Sequence, residues 1–193
     1  MKYNPDLHHR RSIRLSNHDY RGPGTYYLTI CNQGCERLFG EIVDGRMVLN
    51  DAGKMVESIW LELPSRYDGI ELDAFVIMPN HVHGIVVLVG AGPSARPEPP
   101  FRHPTGQPRG VAPTPNLSIP DVVNRFKSLT TARYREGVYH NDWCPFLGRL
   151  WQRNYYEHVI RDETELAHIR QYILENPLHW QDDPENVQAP LWE

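Results

Sequence analysis

The stretch MPNHVHGIVVLV, Met78–Val89, decides how this sequence is interpreted, because it starts with polar residues and continues as a buried strand. Strand side chains alternate between two faces, so His81 and His83 lie on one face and Val82 on the other. The apolar run after His83 is typical of a central strand that is covered on both faces. Neutral imidazole is a common metal ligand, so the pair indicates a divalent metal site. A hydrogen-bonded histidine pair at a strand end is the alternative.

Apolar patterns before this strand predict more of the same sheet. TYYLTIC (Thr25–Cys31) and IELDAFVIM (residues 70–78) are rich in the aromatic and β-branched residues that strands favour. Asp44-Gly45 lies between two apolar runs and predicts a tight hairpin. Apolar residues at helical spacing follow Asn50, and we expect Pro64 to end this helix.

The middle of the chain changes composition. Residues 90–117 hold a large share of the 17 prolines, which predicts a loop insertion rather than a packed element. Neither half of the chain has a complete set of strands and helices, so we assign both halves to one domain. Ser118 followed by Pro120 predicts the start of a further helix.

The last part of the chain predicts one more strand and one more helix. RLWQRNYYEHVI (residues 149–160) is rich in aromatic and β-branched residues. Asp162 caps the following helix, with Glu165 three residues on, and Asn176-Pro177 ends it. Helices interspersed with an antiparallel or mixed sheet give an α+β fold.

Length and composition limit the class of protein. The 193 residues suffice for one domain with its own core, and no apolar run is long enough to cross a membrane. The first residues lack the apolar core of a secretion signal, and three cysteines form no Cys-x-x-Cys pair. We therefore expect a cytoplasmic protein with reduced thiols. The net charge of −4 argues against coating nucleic acid through bulk charge, although local basic patches can bind phosphates.

The last helix offers groups that could complete a site with the histidines. Tyr172 and Asn176 are four residues apart and lie on one helical face, with His168 one turn earlier. A tyrosine hydroxyl and an amide oxygen facing one way can serve as nucleophile and metal ligand. The alternative is that Tyr172 is a core aromatic beside Ile173.

Three segments in this order resemble one family of enzymes. They are VIMPNHVHGIV, with its His-Val-His triplet, LWQRNYYEHVIRDE, and QYILENPL, with Tyr-Ile-x-x-Asn-Pro from Tyr172 to Pro177. The sequence resembles the single-tyrosine HUH transposases, which are insertion-sequence-200-like, and among them the REP-associated tyrosine transposases. The resemblance extends from about Tyr26 to Trp180, apart from the proline-rich segment.

The resemblance implies a ferredoxin-like α+β core and a catalytic role for several residues. His81, His83 and Asn176 would be the ligands of Mg²⁺ or Mn²⁺, although relatives often have Gln at the position of Asn176. Tyr172 would be the nucleophile that forms a 5′-phosphotyrosine link and frees a 3′-hydroxyl. The implied substrate is single-stranded DNA with hairpin-forming repeats. Some relatives are dimers that exchange the tyrosine helix, whereas others act alone, so both a monomer and a homodimer are compatible.

Single strands are bound by basic grooves with stacking aromatic residues, and three parts of this chain provide such groups. Core packing is the alternative for Trp151 and for one of the tyrosines beside it. His158 could lie next to the site, although an ordinary surface or core position is the simpler expectation. The predicted DNA-binding residues are Arg10, Arg11, Arg14, Arg125, Lys127, Arg149, Trp151, Arg153 and Tyr155.

The domain organisation that follows has one catalytic domain between two short terminal segments. We expect a basic arm over residues 1–24, a catalytic domain over residues 25–180 and a tail over residues 181–193. Two other functions are compatible with these patterns. The protein could be a domesticated DNA-hairpin-binding protein without cleavage, or a metal-dependent phosphohydrolase that uses water.

Overall fold

The computed structural model describes residues 23–89 and 117–186, and these form a sheet with helices on both faces. The predicted arm residues Arg10, Arg11 and Arg14 and nearly all of the proline-rich segment lie outside the described residues. The domain boundaries stay predictions. The elements are β1 (Gly24–Cys31), β2 (Gly40–Val43), β3 (Arg46–Leu49), α1 (Asp51–Arg66), β4 (Ile70–Ile77), β5 (His81–Leu88), α2 (Ile119–His140), β6 (Tyr156–Ile160), α3 (Glu163–Glu175) and a 3₁₀ helix (Asn176–Asp182).

Four strands form one antiparallel sheet in the order β4-β5-β1-β6. Without the inserted hairpin of β2 and β3, the chain order is β1-α1-β4-β5-α2-β6, which is the ferredoxin-like arrangement. The predicted α+β fold is therefore confirmed. β5 is internal and almost fully buried, as its apolar run predicts. Its register places His81 opposite Cys31 and His83 opposite Thr29.

The alternation of β1 shows how the sheet separates two cores. Tyr26, Leu28 and Ile30 face a large core under α1 and α2. Tyr27 faces the other side, where it packs with Ile85 and with Ile173 of α3. Because His81 and His83 are in phase with Ile85, both histidines lie on the α3 side of the sheet. No helix in the described ranges is both long and apolar enough to span a membrane.

Local signals set the ends of most elements. Asp44 and Gly45 both have positive φ, at 50° and 71°, so they form the two-residue hairpin turn expected of Asp-Gly. Ser118 caps α2 in a capping box with Asp121. Asp162 accepts a hydrogen bond from the Glu165 N–H at the start of α3. Each of these predicted starts and turns is confirmed.

The prediction that Pro64 ends α1 is wrong. The helix continues to Arg66, and the Tyr67 N–H closes it by donating to the carbonyl of Leu63. Proline removes only its own N–H donor, and it lies in the last turn, where little helix remains to be distorted. The helix therefore loses one hydrogen bond without breaking.

The predicted strand over residues 149–160 is also too long, since β6 begins at Tyr156. Before it, Trp151 forms an isolated bridge with Asn32 at the end of β1. The carbonyls of Gln152 and Asn154 accept hydrogen bonds from the Lys127 ammonium at 2.9 and 3.0 Å. Carbonyls that bind a side chain are not available to a strand ladder, which explains the shorter strand.

Candidate active site

His81 and His83 stand at the start of β5 with their imidazole rings facing each other. Their Nε2 atoms are 2.9 Å apart, and both side chains are buried. The Nδ1 of His81 lies 2.7 Å from the amide oxygen of Asn80, so this nitrogen carries the proton. The unprotonated Nε2 of His81 therefore points at His83, as a metal ligand requires.

Asn80, the polar residue directly before His81, has a structural role. Its amide nitrogen donates to the carbonyls of Cys35 and Glu185, at 3.1 and 2.6 Å. One buried side chain thus orients His81 and attaches two distant chain segments beside it. Ligand orientation by such outer contacts is a regular feature of metal sites.

Two hydroxyl groups orient His83. The Tyr27 hydroxyl is 2.7 Å and the Thr29 hydroxyl 3.0 Å from the Nδ1 of His83. A proton on this Nδ1, donated to either hydroxyl, leaves the Nε2 lone pair facing the Nε2 of His81. Two lone pairs at 2.9 Å repel each other unless a cation or a shared proton lies between them.

Asp183 adds a negative charge that the sequence interpretation missed, because it lies in the segment assigned to the tail. Its Oδ2 is 3.9 Å from the Nε2 of His83, and its side chain is buried. Burial acts to raise the pKa of Asp183. The neighbouring imidazoles and hydrogen bonds from Asn176 and the Glu185 N–H outweigh burial and hold the pKa well below its ordinary value. Asp183 is therefore ionised at neutral pH.

The donor set of His81, His83 and Asp183 matches what a divalent cation needs. One ligand atom from each residue lies within 4.8 Å of the other two. Two ligands of an octahedral ion at ~2.1 Å are about 3 Å apart when adjacent and about 4 Å apart when opposite. The observed separations of 2.9 and 3.9 Å are of this size. The combined site carries two neutral nitrogen donors and one carboxylate.

Tyr172 lies beside this cluster on α3, with 45% of its surface exposed. The core alternative for this side chain is therefore wrong. Its ring is centred 5.4 Å from the His83 ring and 6.3 Å from the Tyr27 ring. A cavity of about 320 Å³ joins Tyr172 to His83, Asp183 and Tyr156. A substrate phosphate in this cavity would reach the tyrosine and the cluster at once.

The surroundings of Tyr172 act on its acidity in opposite directions. Burial raises the pKa of its hydroxyl, and the Asp183 charge raises it further. Hydrogen bonds with Tyr27 and Asn176 act to lower it, but the net pKa stays above the ordinary value. A cation that neutralises the Asp183 charge would remove one of the causes that raise the pKa of Tyr172.

Asn176 lies between the tyrosine and the carboxylate. Its Nδ2 donates to Asp183 Oδ2 at 2.8 Å, while its buried Oδ1 has no hydrogen-bond partner among the described residues. A half-turn of the amide exchanges the two atoms and would direct the oxygen toward the carboxylate, which is favourable only with a cation between them. The ligand role of Asn176 stays a prediction with a structural basis.

The predicted DNA-binding residues on α2 make internal contacts. The Arg125 guanidinium lies over the Tyr67 ring at 4.4 Å, and the Lys127 ammonium lies 5.3 Å from the Tyr155 ring centre. Burial lowers the pKa of Lys127 to about 8. Arg125 thus connects α2 to the end of α1, and Lys127 connects α2 to the segment before β6.

Trp151 requires a correction, because it is buried in the large core against Phe39 and Phe126. Its indole N–H donates to the Thr130 hydroxyl at 2.7 Å, so it cannot stack on a base. Arg149 and Arg153, on either side of it, are exposed. This segment runs beside the end of β1, where the Gln152 N–H donates to the Cys31 carbonyl, opposite His81 in the sheet.

His158 and His168 lie outside the metal-type cluster. The Nε2 of His158 is 2.6 Å from a carboxylate oxygen of Glu165 at the start of α3. His168 is exposed on α3, where it lines a second cavity together with Arg161. The structure thus joins His81, His83, Tyr172 and Asn176 as predicted and adds Asp183.

Comparisons with known proteins agree with this arrangement. The family model described as "Transposase IS200 like" matches residues 111–176, which include α3 and Tyr172. An uncharacterized protein of Haemophilus influenzae is 40% identical over 183 residues, covering 94% of this chain and 96% of that protein. A solved REP-associated tyrosine transposase bound to a REP hairpin has the same fold, with a TM-score of 0.55 at 18% identity, covering 89% of this chain and 81% of that one. The chain belongs to the family of IS200-like transposases, which process DNA.

Proposed function

We propose that this protein is a metal-dependent enzyme that nicks and joins single-stranded DNA through a covalent bond to Tyr172. One observation carries the proposal. Half-exposed Tyr172 lines the same cavity as His83 and Asp183, two members of the buried cluster. A nucleophile adjacent to a cation site is the arrangement that phosphoryl transfer needs.

His81, His83 and Asp183 would hold Mg²⁺ or Mn²⁺, with the amide oxygen of Asn176 as a further ligand after rotation. A mixed nitrogen and oxygen donor set beside a phosphate is compatible with either ion. When bound, the cation would polarise the scissile phosphate and offset the negative charge that develops on it. Asp183 also anchors the site, since its second oxygen accepts the Glu185 N–H at 2.7 Å.

Tyr172 acts by in-line attack of its oxygen on the phosphorus atom. The Tyr172 oxygen–phosphorus bond forms as the bond to the 3′-oxygen breaks, and the hydroxyl proton lost by tyrosine is balanced by one gained on the 3′-oxygen. Tyr27 and Asn176 act to lower the pKa of the Tyr172 hydroxyl, in opposition to burial. Because one phosphoester replaces another, a different 3′-hydroxyl can reverse the step and join strands without ATP.

The substrate proposed is single-stranded DNA with hairpin-forming repeats, as in the REP hairpin bound by the solved neighbour. Arg149 and Arg153 are the proposed phosphate contacts, because they are exposed on the segment beside the end of β1. Tyr172 and the histidines lie in one chain, so a monomer suffices for this chemistry. A homodimer that exchanges α3 would form the same site.

The experiment is covalent capture on labelled single-stranded DNA from the flanks of the protein's own gene, with Mn²⁺ or with EDTA. We expect a protein-bound label in a denaturing gel with Mn²⁺, its loss in EDTA and its loss in Tyr172→Phe. Tyr139→Phe is the matched control, because Tyr139 is 81% exposed at the far end of α2 and should keep the adduct.

Other outcomes identify the rival functions. Cleavage without an adduct that Tyr172→Phe does not affect would assign a water-dependent phosphohydrolase. Hairpin binding without cleavage at any flank sequence would assign a domesticated binding protein.

A further inference from the structure

A second cavity lies beside the proposed active site, between β6 and the first two turns of α3. It measures about 630 Å³, within the range of small-molecule sites. Tyr156, Arg161, His168 and Ile169 are among the residues that line it. We call it the Tyr156 cleft. Neither the metal-type cluster nor Tyr172 lines it.

The Tyr156 cleft is adjacent to the active-site cavity. Tyr27 and Tyr156 line both, and their rings pack edge to face at 6.1 Å. Tyr27 also packs edge to face with Tyr172, at 6.3 Å between ring centres. A strand with one phosphate at Tyr172 would therefore bring a neighbouring nucleotide to the mouth of the cleft.

The cleft offers a platform for stacking. Tyr156 is 46% exposed although it is a large aromatic residue at the start of a strand. Exposed aromatic rings along a nucleic-acid path bind bases by stacking, without sequence readout. Ile169 supplies an apolar wall from α3.

The polar groups of the cleft divide into occupied and available ones. The Glu165 carboxylate is occupied by His158, at 2.6 Å, and by the Arg161 N–H, at 2.8 Å. Among residues 23–89 and 117–186, no hydrogen bond engages the side chains of Arg161 and His168. Both can donate to a phosphate or to the edge of a base.

We propose that the Tyr156 cleft binds the nucleotide next to the scissile phosphate, with its base stacked on Tyr156 and its polar edge or phosphate bound by Arg161 and His168. The inference rests on the proposed function and adds a base-binding site to it. Placement of the flanking base fixes the phosphate at Tyr172, so binding and cleavage use the same contact.

The test is a cycle of protein and DNA changes in the Tyr172→Phe background, where the DNA stays intact. The probe is the flank DNA cleaved in the capture assay, either whole or with an abasic site immediately 5′ or 3′ of the cleaved bond. Fluorescence anisotropy gives the Kd. Tyr156→Ala should weaken binding of whole DNA roughly 5- to 100-fold. Tyr156→Phe should bind whole DNA as tightly as the protein with Tyr156, because the ring remains.

The decisive result is the combination of both changes. One of the two abasic sites should weaken binding as much as Tyr156→Ala does. Tyr156→Ala combined with that abasic site should weaken binding no more than either change alone. Multiplying losses, or no loss in Tyr156→Ala, would overturn the proposal. Tyr139→Ala is the control for loss of an exposed tyrosine, and an unchanged melting temperature excludes unfolding.

Failure here is distinct from failure of the proposed function. If the wild-type protein forms the adduct and binds both abasic DNAs as tightly as whole DNA, the cleft does not bind a base and the proposed chemistry still stands. A protein that forms no adduct lacks the proposed chemistry.

Discussion

Asp183 contributes the negative charge of the cluster that it forms with His81 and His83. Removing this charge should weaken metal binding. Asp183→Asn keeps the size of the side chain but removes the charge next to His83. We expect its Kd for Mn²⁺, measured by isothermal titration calorimetry, to rise at least about tenfold. Asp182→Asn is the matched control, because Asp182 precedes it and is exposed. Equal affinities for the two variants would exclude Asp183 as a ligand.

The buried imidazole of His81 should make the metal-free protein less stable in acid. Burial lowers the pKa of His81, and the neighbouring His83 charge lowers it further. The unfolded chain therefore takes up this proton first, below about pH 6.5, so stability is lost as the pH falls through that range. From pH 7.5 to 5.0 this residue should cost up to about 2 kcal/mol of unfolding free energy.

Urea denaturation in EDTA at both pH values measures this cost. His81→Gln should lose less stability on acidification than wild type, because the buried titrating group is gone. His168→Gln removes an exposed histidine and should follow the wild-type curve. If wild type and His81→Gln lost the same unfolding free energy on acidification, His81 would not be the source of the acid sensitivity.

Single residues differed in how far the sequence could predict them. Strand alternation places His81 and His83 on one face, and helical spacing places Tyr172 and Asn176 on one face, since both rules are local. That the two faces form one site was implied by the resemblance. Asp183 follows a 3₁₀ helix with a kink at His179, where neither period applies. Asn176 and Asp183 are both buried, but the irregular segment between them gave no periodic pattern from which the position of Asp183 could be predicted.

At the scale of elements, an ion pair between α3 and the sheet positions the tyrosine helix. Arg170 donates from Nε and Nη2 to the two carboxylate oxygens of Asp73, at 2.8 and 2.5 Å. Asp73 lies where the register of β4 shifts, which turns its side chain toward α3. Lysine keeps the charge but cannot form both bonds in one plane.

Arg170→Lys should therefore slow adduct formation by about 10- to 100-fold, because Tyr172 lies two residues further along the displaced helix. The partly exposed pair contributes little to stability, so the melting temperature should change little. Arg133→Lys tests an exposed ion pair with Glu136 on α2 and should leave the rate unchanged. Equal rates for both variants would show that the pair does not position α3.

Element boundaries were predicted where side chains cap the backbone and missed where tertiary contacts decide. Ser118 and Asp162 cap their helices as expected, through bonds within four residues. β6 starts late because Lys127, far away in sequence, binds the carbonyls before it. No local pattern contains that information.

At the scale of the whole molecule, one close contact joins the histidine strand to the large core. A side chain at Gly84, directly after His83, would collide with the Trp60 indole of α1. Gly84→Ala should lower the unfolding free energy by about 1–3 kcal/mol in thermal or urea denaturation. Gly34→Ala is the control, since the atoms nearest to an added side chain there belong to the flexible side chain of Glu36. Equal stability of the two variants would contradict this packing.

The order of the elements was largely predictable, because each strand and helix carries its own period, and the ferredoxin-like arrangement was implied by the resemblance to the transposases. The separation of the two cores was not, since it depends on which face of the sheet each helix covers. That separation places α3 and the histidines together on the Tyr27 side.

The site of covalent attachment identifies the nucleophile, since three tyrosines line the proposed active-site cavity: Tyr27, Tyr156 and Tyr172. Wild-type protein is incubated with single-stranded flank DNA and Mn²⁺, digested with nuclease and protease, and analysed by tandem mass spectrometry. We expect a nucleotide on Tyr172 alone. A nucleotide on Tyr27 or Tyr156, or cleaved DNA with no modified tyrosine, would contradict this expectation.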